Sequence, residues 1–297
     1  MKKLFINSCI ILSILVSCKF KQQEAKQQTP IIDSTLQAKT ASILKNKLSE
    51  LNASFGQAII MEVQTGHIKT MVGLERKDSA DYQPCGKFSQ TYESALMHPI
   101  SILAALETGK VKLADTVDVG DGTYICKGDT IKDHNWHRGG YGKITLKQGL
   151  ASSSEIAIYK AMEIAFNGYT QAYYDQLKDM GISNLKVNAP LQVLTAYNSI
   201  ANNKNSQANI DSLKQALEYV VTDGLGQPAK SDKVQVAGET GTVQLEDGSY
   251  IVEFCGYFPT NVPQYSIIVS IHKEELPASG GIMAGDVFRQ IVDYMNE

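Results

Sequence analysis

The chain has 297 residues, with 28 Lys+Arg against 31 Asp+Glu and a net charge of −3. That balance excludes the basic excess of a nucleic-acid binder, and 43% apolar with 20% charged residues is too apolar for a disordered chain. No stretch after residue 20 approaches the roughly 18 consecutive apolar residues of a membrane span. None of the five cysteines has the CxxC or Cys/His spacing of a structural zinc site. The length fits one large domain or two small ones.

The chain opens on Met1-Lys2-Lys3, a short basic segment, and a mostly apolar stretch over 4–16 follows that is short for a span. Leu15-Val16-Ser17-Cys18 then sets a small residue before a cysteine, so residues 1–17 read as a secretory signal. The run resembles a bacterial lipobox, which implies cleavage before Cys18 and acylation of its thiol. An uncleaved signal anchor is the alternative. Residues 18–40, rich in Gln and Lys with no apolar period, read as a flexible tether to a domain over 41–297. Export implies an oxidising compartment. Cys255 lies in an apolar run and reads as a buried thiol. Whether Cys85 and Cys126 form a bridge stays open.

Along the domain, Ala41, Leu44, Leu48 and Leu51 predict an amphipathic helix over 41–51. Two strands, 57–63 and 68–72, flank a turn at Thr65-Gly66 and predict a hairpin. Pro99 fits the first turn of a helix that closes at Gly109. Residues 110–143 read as loop-rich, with Gly139, Gly140 and Gly142 close together. One long helical region is predicted over 145–165, then helices over 190–201 and 209–222. Strand-like segments over 234–245, 250–258 and 265–272 precede a last helix over 282–295. Strands, helices, strands and a helix in that order predict an α+β fold. Its antiparallel sheet is built from both chain ends, is packed with helices, and carries an all-helical insert.

Three local signatures stand in order along this scaffold. They are Ser94-Ala95-Leu96-Met97-His98-Pro99, Ser153-Ser154-Glu155, and Gly238-Glu239-Thr240-Gly241-Thr242. Each alone is weak. Together they resemble the S-x-x-K, S-x-N and K-T-G motifs of penicillin-binding proteins and serine β-lactamases. The resemblance extends to Ala189-Pro190-Leu191-Gln192, to Phe254-Cys255-Gly256-Tyr257-Phe258-Pro259, and to Gly280-Gly281 with Val287-Phe288. It covers about residues 40–297 and is nearest the class B transpeptidases, whose long N-terminal pedestal finds no counterpart here. It implies a transpeptidase-like domain in the cell envelope, with no cofactor and no metal.

Every motif departs from the family pattern. Aligned on Pro99, the nucleophile position is Ala95 and the lysine position is His98, with Ser94 one residue early. In the second motif Ser153 holds its place and Glu155 replaces the asparagine. In the third, Glu239 replaces the lysine, and Thr240, Gly241 and Thr242 remain in the binding cleft. Loss of the nucleophile in a serine hydrolase costs on the order of a millionfold in kcat. The motif-three lysine helps hold a substrate carboxylate, and a unit charge near 4 Å is worth about 4 kcal/mol at an effective dielectric of 20. A glutamate there is expected to turn that attraction into repulsion.

Several readings of these residues compete. In a cleft released from catalysis, a protonated His98 would pair with Glu155 or Glu239. Alternatively His98 and the two glutamates would ligate a divalent metal, or Ser94 and His98, four residues apart, would form a different hydrolase dyad. The cluster of His134, Trp136, His137 and Arg138 reads as a solvated loop around one packed indole, or as a glycan site. The favoured reading is a lipid-anchored, catalytically degenerate member with a binding or scaffolding role. Its partner would be a peptidoglycan stem peptide or an envelope protein. An active D-Ala-D-Ala transpeptidase or carboxypeptidase using Ser94 or Ser153 is the alternative, as is a new activity in the remodelled cleft.

Overall fold

The computed structural model describes residues 31–77, 81–86, 94–180, 182, 190–203 and 208–297. The signal segment and Cys18 lie outside the described residues. A six-stranded antiparallel sheet is the frame. In chain order its strands are β1 (Phe55–Glu62), β2 (Ile68–Arg76), β3 (Tyr82–Pro84), β8 (Ala237–Gln244), β9 (Tyr250–Phe258) and β10 (Tyr265–Lys273), arranged β3-β2-β1-β10-β9-β8. The first and last thirds of the chain therefore meet where β1 pairs with β10. Strand β8 is left at one edge.

Both faces of the sheet are covered, so the central strands read as continuous apolar runs. On one face, Ala58, Ile60, Phe254, Ile267 and Val269 pack against α1 (Ser34–Leu51) and α8 (Asp286–Met295). The rings of Phe254 and Phe288 stand 4.7 Å apart at 61°. Gly56 lets β1 approach α1, since a Cβ there would lie 2.6 Å from a Leu48 methyl. On the other face, Ile59, Met61, Cys255, Tyr257 and Ile268 belong to the core of the helical part. That part comprises α2 (His98–Glu107), α3 (Leu146–Ala151), α4 (Glu155–Phe166), α5 (Gln171–Asp179), α6 (Pro190–Asn202) and α7 (Ala208–Thr222). The α+β class, the hairpin and the order of the late strands agree with the sequence.

Four details differ. Helix α1 starts at Ser34, inside the segment read as a tether reaching residue 40. Asp33 caps it by accepting from the Thr35 and Leu36 amides. Gln37 then exchanges side-chain hydrogen bonds with the Met71 backbone in both directions, and Leu36 and Thr40 are buried. The long helix over 145–165 is two helices broken at 152–154. Helix α5 was not anticipated. The loop-rich 110–143 contains two small ladders, β4 (Thr116–Gly120) with β7 (Gly142–Thr145) and β5 (Thr123–Cys126) with β6 (Asp129–Lys132).

Cys85 and Cys126 are both free thiols, which closes the question of a bridge between them. Cys255 is a fully buried thiol, as its apolar run indicates. No helix among the described residues is long and apolar enough to cross a membrane.

Candidate functional site

The three sequence signatures converge. The first lies at the start of α2. Ser94 caps a short 3-10 turn over Ala95–Met97, and α2 follows with Pro99 in its first turn, where a missing N–H leaves no bond unmade. The second is the break between α3 and α4. The third is the edge strand β8, whose Glu239 lies beneath the first signature.

His98 is buried, and its Nε2 stands 3.3 Å from Glu155 Oε2, on a side chain that is 49% exposed. Burial pulls the imidazole pKa down, but the Glu155 charge and hydrogen bond, with a smaller effect from Glu239, carry it above its ordinary value. Burial raises the Glu155 pKa, and His98 more than reverses that, so its net shift is downward. These two groups thus form the His98–Glu155 pair that the sequence reading allowed.

Glu239 behaves otherwise. It is fully buried, and burial pushes its carboxyl up to about 8, against the opposing influence of the Thr240 amide and His98. Its Oε1 accepts from the Thr240 amide at 2.8 Å. Its Oε2 and the Nδ1 of His98 are both buried without a hydrogen-bond partner among the described residues. A carboxyl held near 8 favours its protonated form at neutral pH, which weakens the anionic repulsion expected at this position.

The serines take distinct roles. Ser94 is buried, accepts from the Leu96 amide, and donates to Glu253 Oε2 at 2.5 Å. The other oxygen of Glu253 accepts from Ser270 at 2.7 Å. Ser94 faces the strand, and Gly241 leaves room for it, since a Cβ at 241 would meet its Oγ at 3.0 Å. Neither ring nitrogen of His98 bonds to Ser94, because Nε2 meets Glu155 and Nδ1 has no partner among the described residues. The dyad considered from their spacing is thus not formed. The adjacent Ala95 offers a methyl group at the turn.

Ser153 is half-buried and left-handed, with φ +49, a conformation that costs an ordinary residue about 1–2 kcal/mol. Ser154 fixes this turn. Its Oγ accepts from the Ala157 amide and donates to Asp133 Oδ2 at 2.8 Å, while Asp133 Oδ1 accepts from the Ile156 amide at 3.1 Å. Asp133 is fully buried. Sequence reasoning missed it, since its partners lie 21 and 23 positions further on. In the third signature Thr240 is buried, and Thr242 Oγ1 accepts from the Gly280 amide at 3.0 Å, tying β8 to the turn before α8.

Among the described residues no group of three or more His, Cys, Asp or Glu is arranged to hold a metal. The ligand set of His98, Glu155 and Glu239 is not realised. Trp136 is not the packed indole of the sequence reading. It is 48% exposed, with the Lys132 ammonium 4.2 Å from its ring centre.

Comparisons with known proteins agree with this layout. Over 98 residues the chain is 32% identical to a peptidoglycan D,D-transpeptidase FtsI homolog of Mesostigma viride. That match takes in 30% of this chain and 16% of the relative, so the chain spans only a small part of that protein's length. The fold resembles the apo transpeptidase domain of Burkholderia pseudomallei penicillin-binding protein 3. The TM-score there is 0.70 and the identity 22%, over 91% of this chain and 96% of that one. It also resembles a peptidoglycan glycosyltransferase structure from Burkholderia ambifaria, at TM-score 0.68 and 21% identity over 89% and 96% of the two chains. Residues 56–189 and 165–293 match the family described as penicillin binding protein transpeptidase domain. Matched over most of its length by that family's model, this chain belongs to the penicillin-binding protein transpeptidase domain family.

Proposed function

We propose that this protein is a lipid-anchored, catalytically degenerate transpeptidase-like protein that binds or scaffolds in peptidoglycan biology. The observation that carries the reading is the state of Ser94 and Ala95. The position expected to supply a nucleophile has a methyl group, and the neighbouring hydroxyl is buried on Glu253. A nucleophilic serine needs a base that takes its proton and an open approach to a carbonyl. Ser94 has a carboxylate partner without the open approach, and its oxygen is also engaged as a helix cap. His98 stands where a lysine base would, but its Nε2 is committed to Glu155. The expected partner is a peptidoglycan stem peptide or an envelope protein.

The cell-envelope assignment is supported by the family and by the name of the Mesostigma viride relative. The lipid anchor is supported by Leu15-Val16-Ser17-Cys18. Purification from membranes followed by intact mass tests it, with a chain that begins at Cys18 and carries acyl groups as the expected product.

The test of degeneracy is incubation with a fluorescent penicillin, read by intact mass beside a motif-complete penicillin-binding protein. No adduct is expected on the folded chain. A stoichiometric mass gain mapped to Ser94 or Ser153 would restore the reading as an active enzyme with a non-standard serine.

A further inference from the structure

A second group of nucleophilic and titratable side chains meets at the end of the sheet where β1 begins, β10 ends and β8 turns into β9. None of them belongs to the three signatures. Ser54 stands just before β1, His272 lies on β10, and Asp247 and Ser249 flank Gly248 in the β8–β9 turn. The register sets Phe55 opposite His272 and His272 opposite Ile251, which brings the strand ends together. Gly248, with φ +87, makes the tight turn that holds Asp247 beside Ser249. Ser54 and His272 are 218 positions apart, so no local spacing reveals the group.

The four side chains form one run of hydrogen bonds. Ser54 Oγ stands 3.2 Å from His272 Nδ1, and His272 Nε2 stands 2.8 Å from Ser249 Oγ. Ser249 Oγ donates to Asp247 Oδ1 at 2.5 Å, and the Ser249 amide donates to the same oxygen at 2.9 Å. The Ser249 hydroxyl, and then its amide, hold the Asp247 carboxyl below its ordinary range, so it is an anion with acceptors alone. Its demand orients the protons. Ser249 gives its one hydrogen to Asp247 and therefore accepts from Nε2–H. The neutral imidazole is then the Nε2–H tautomer, and its Nδ1 lone pair meets the Ser54 hydroxyl.

A hydroxyl on an imidazole base whose far nitrogen is held in turn is the arrangement that activates a serine nucleophile. We infer that Ser54 and His272 form an acyl-transfer site that hydrolyses short-chain carboxylic esters, with Ser249 and Asp247 as positioning residues. Ser54 Oγ adds to the ester carbonyl as Nδ1 takes its proton. The C–O bond to the alcohol breaks, and the alcohol leaves with that proton. Water then adds to the acyl-serine as Nδ1 takes a proton from it. The acyl–Oγ bond breaks, the carboxylic acid leaves, and Ser54 recovers the proton. Ser54 and His272 are each half-buried, so a small ester and water reach them. Arg76, whose amide donates to the Ser54 carbonyl at 2.9 Å, brings positive charge toward the developing oxyanion. At this end Arg76 pairs with Glu274 and Lys77 with Glu75, each at 3.1 Å.

The experiment uses the full chain in detergent, with p-nitrophenyl acetate as substrate and a fluorophosphonate as probe of the nucleophile. A phosphonyl mass gain mapped to Ser54 is expected, with nitrophenol release that rises with pH to a plateau. Ser54→Ala is expected to remove the adduct and return release to the uncatalysed background. His272→Gln is expected to slow release by about a hundredfold or more. Asp247→Asn is expected to slow release and move its pH midpoint downward, and Asp247→Glu to restore the wild-type profile. Asp247 is exposed, so these two variants carry the test should the others fail to fold, which circular dichroism checks. No adduct at Ser54, equal release by wild type and Ser54→Ala, or an unchanged pH profile in Asp247→Asn would overturn the inference. The site shares no residue with the three signatures, so a penicillin adduct at Ser94 or Ser153 would overturn the proposed function and leave this inference standing.

Discussion

Glu155 reaches across from the first turn of α4 to His98 at the first turn of α2, with Oε2 and Nε2 at 3.3 Å. The pair ties together the starts of α2 and α4, where the first and second signatures lie. Substitution Glu155→Gln leaves the buried imidazole without its counter-charge. The His98 pKa is expected to fall below its present raised position, followed by NMR of the ring protons. Because Glu155 is half-exposed, solvent screening limits the loss of stability to about 0.5–1 kcal/mol. An unchanged His98 titration would show that the pair does not form in solution.

Three groups of the site contribute to the pH dependence of stability. The Glu239 carboxyl titrates near 8 when folded and at 4.5 when free. Between those values the folded chain holds a proton that the unfolded chain has released, so stability falls as pH rises through the window. For one group the slope is at most about 1.4 kcal/mol per pH unit. His98, with a raised pKa, acts in the same direction. Its contribution is complete below 6.5 and is lost as pH rises through its folded value. Glu155, with a lowered pKa, contributes above 4.5 and loses that contribution as pH falls through its folded value. Melting temperature is therefore expected to decline from mildly acidic to alkaline pH, and Glu239→Gln to flatten the decline. A wild-type melting temperature constant from pH 5 to 9 would contradict the upward shift of the buried Glu239 carboxyl.

These effects mark the limit of what the residue string discloses. The strands are legible because Ile59, Ile60, Phe254, Cys255, Ile267 and Ile268 must be covered on both faces, and a run of apolar residues reports that directly. The three signatures are legible because their order and local spacing survive the substitutions. Helix α1 was read too short because Gln37 anchors its first turns by tertiary hydrogen bonds to Met71, which leave no apolar period. Helix α5 buries only Tyr173 and Leu177, too few positions to establish a repeat. The break at 152–154 escaped notice because apolar spacing continues through it. Glu239 is plainly acidic in the sequence, but its charge state depends on burial beneath α2, and that is a property of the assembled fold.

Ser94→Ala separates a structural serine from a nucleophilic one. The substitution removes the cap on the 3-10 turn and the hydrogen bond to Glu253. Loss of a bond to a buried carboxylate together with a cap is expected to destabilise the fold by about 2–3 kcal/mol. Penicillin labelling is expected to stay at the wild-type background. A labelling signal in the wild type that disappears in this variant would make Ser94 the acylated residue.

Asp133 supports motif two from outside it, and Asp133→Ala tests how far the Ser153 turn depends on that support. The carboxylate receives the Ser154 hydroxyl and the Ile156 amide, and all three groups sit in buried surroundings. Removing it strands two buried donors at the start of α4, and each charge-assisted bond is worth about 1.5–3 kcal/mol. The expected loss is about 3 kcal/mol, or on the order of 5–10 °C in Tm for a domain of this size. The effect should be local as well as global. Ser153 holds its left-handed φ only while Ser154 is pinned, so hydrogen exchange at Ile156 and Ala157 should rise more than exchange in β9. Uniformly raised exchange with no excess at those two amides would show that the turn is held by the α3–α4 packing and not by Asp133.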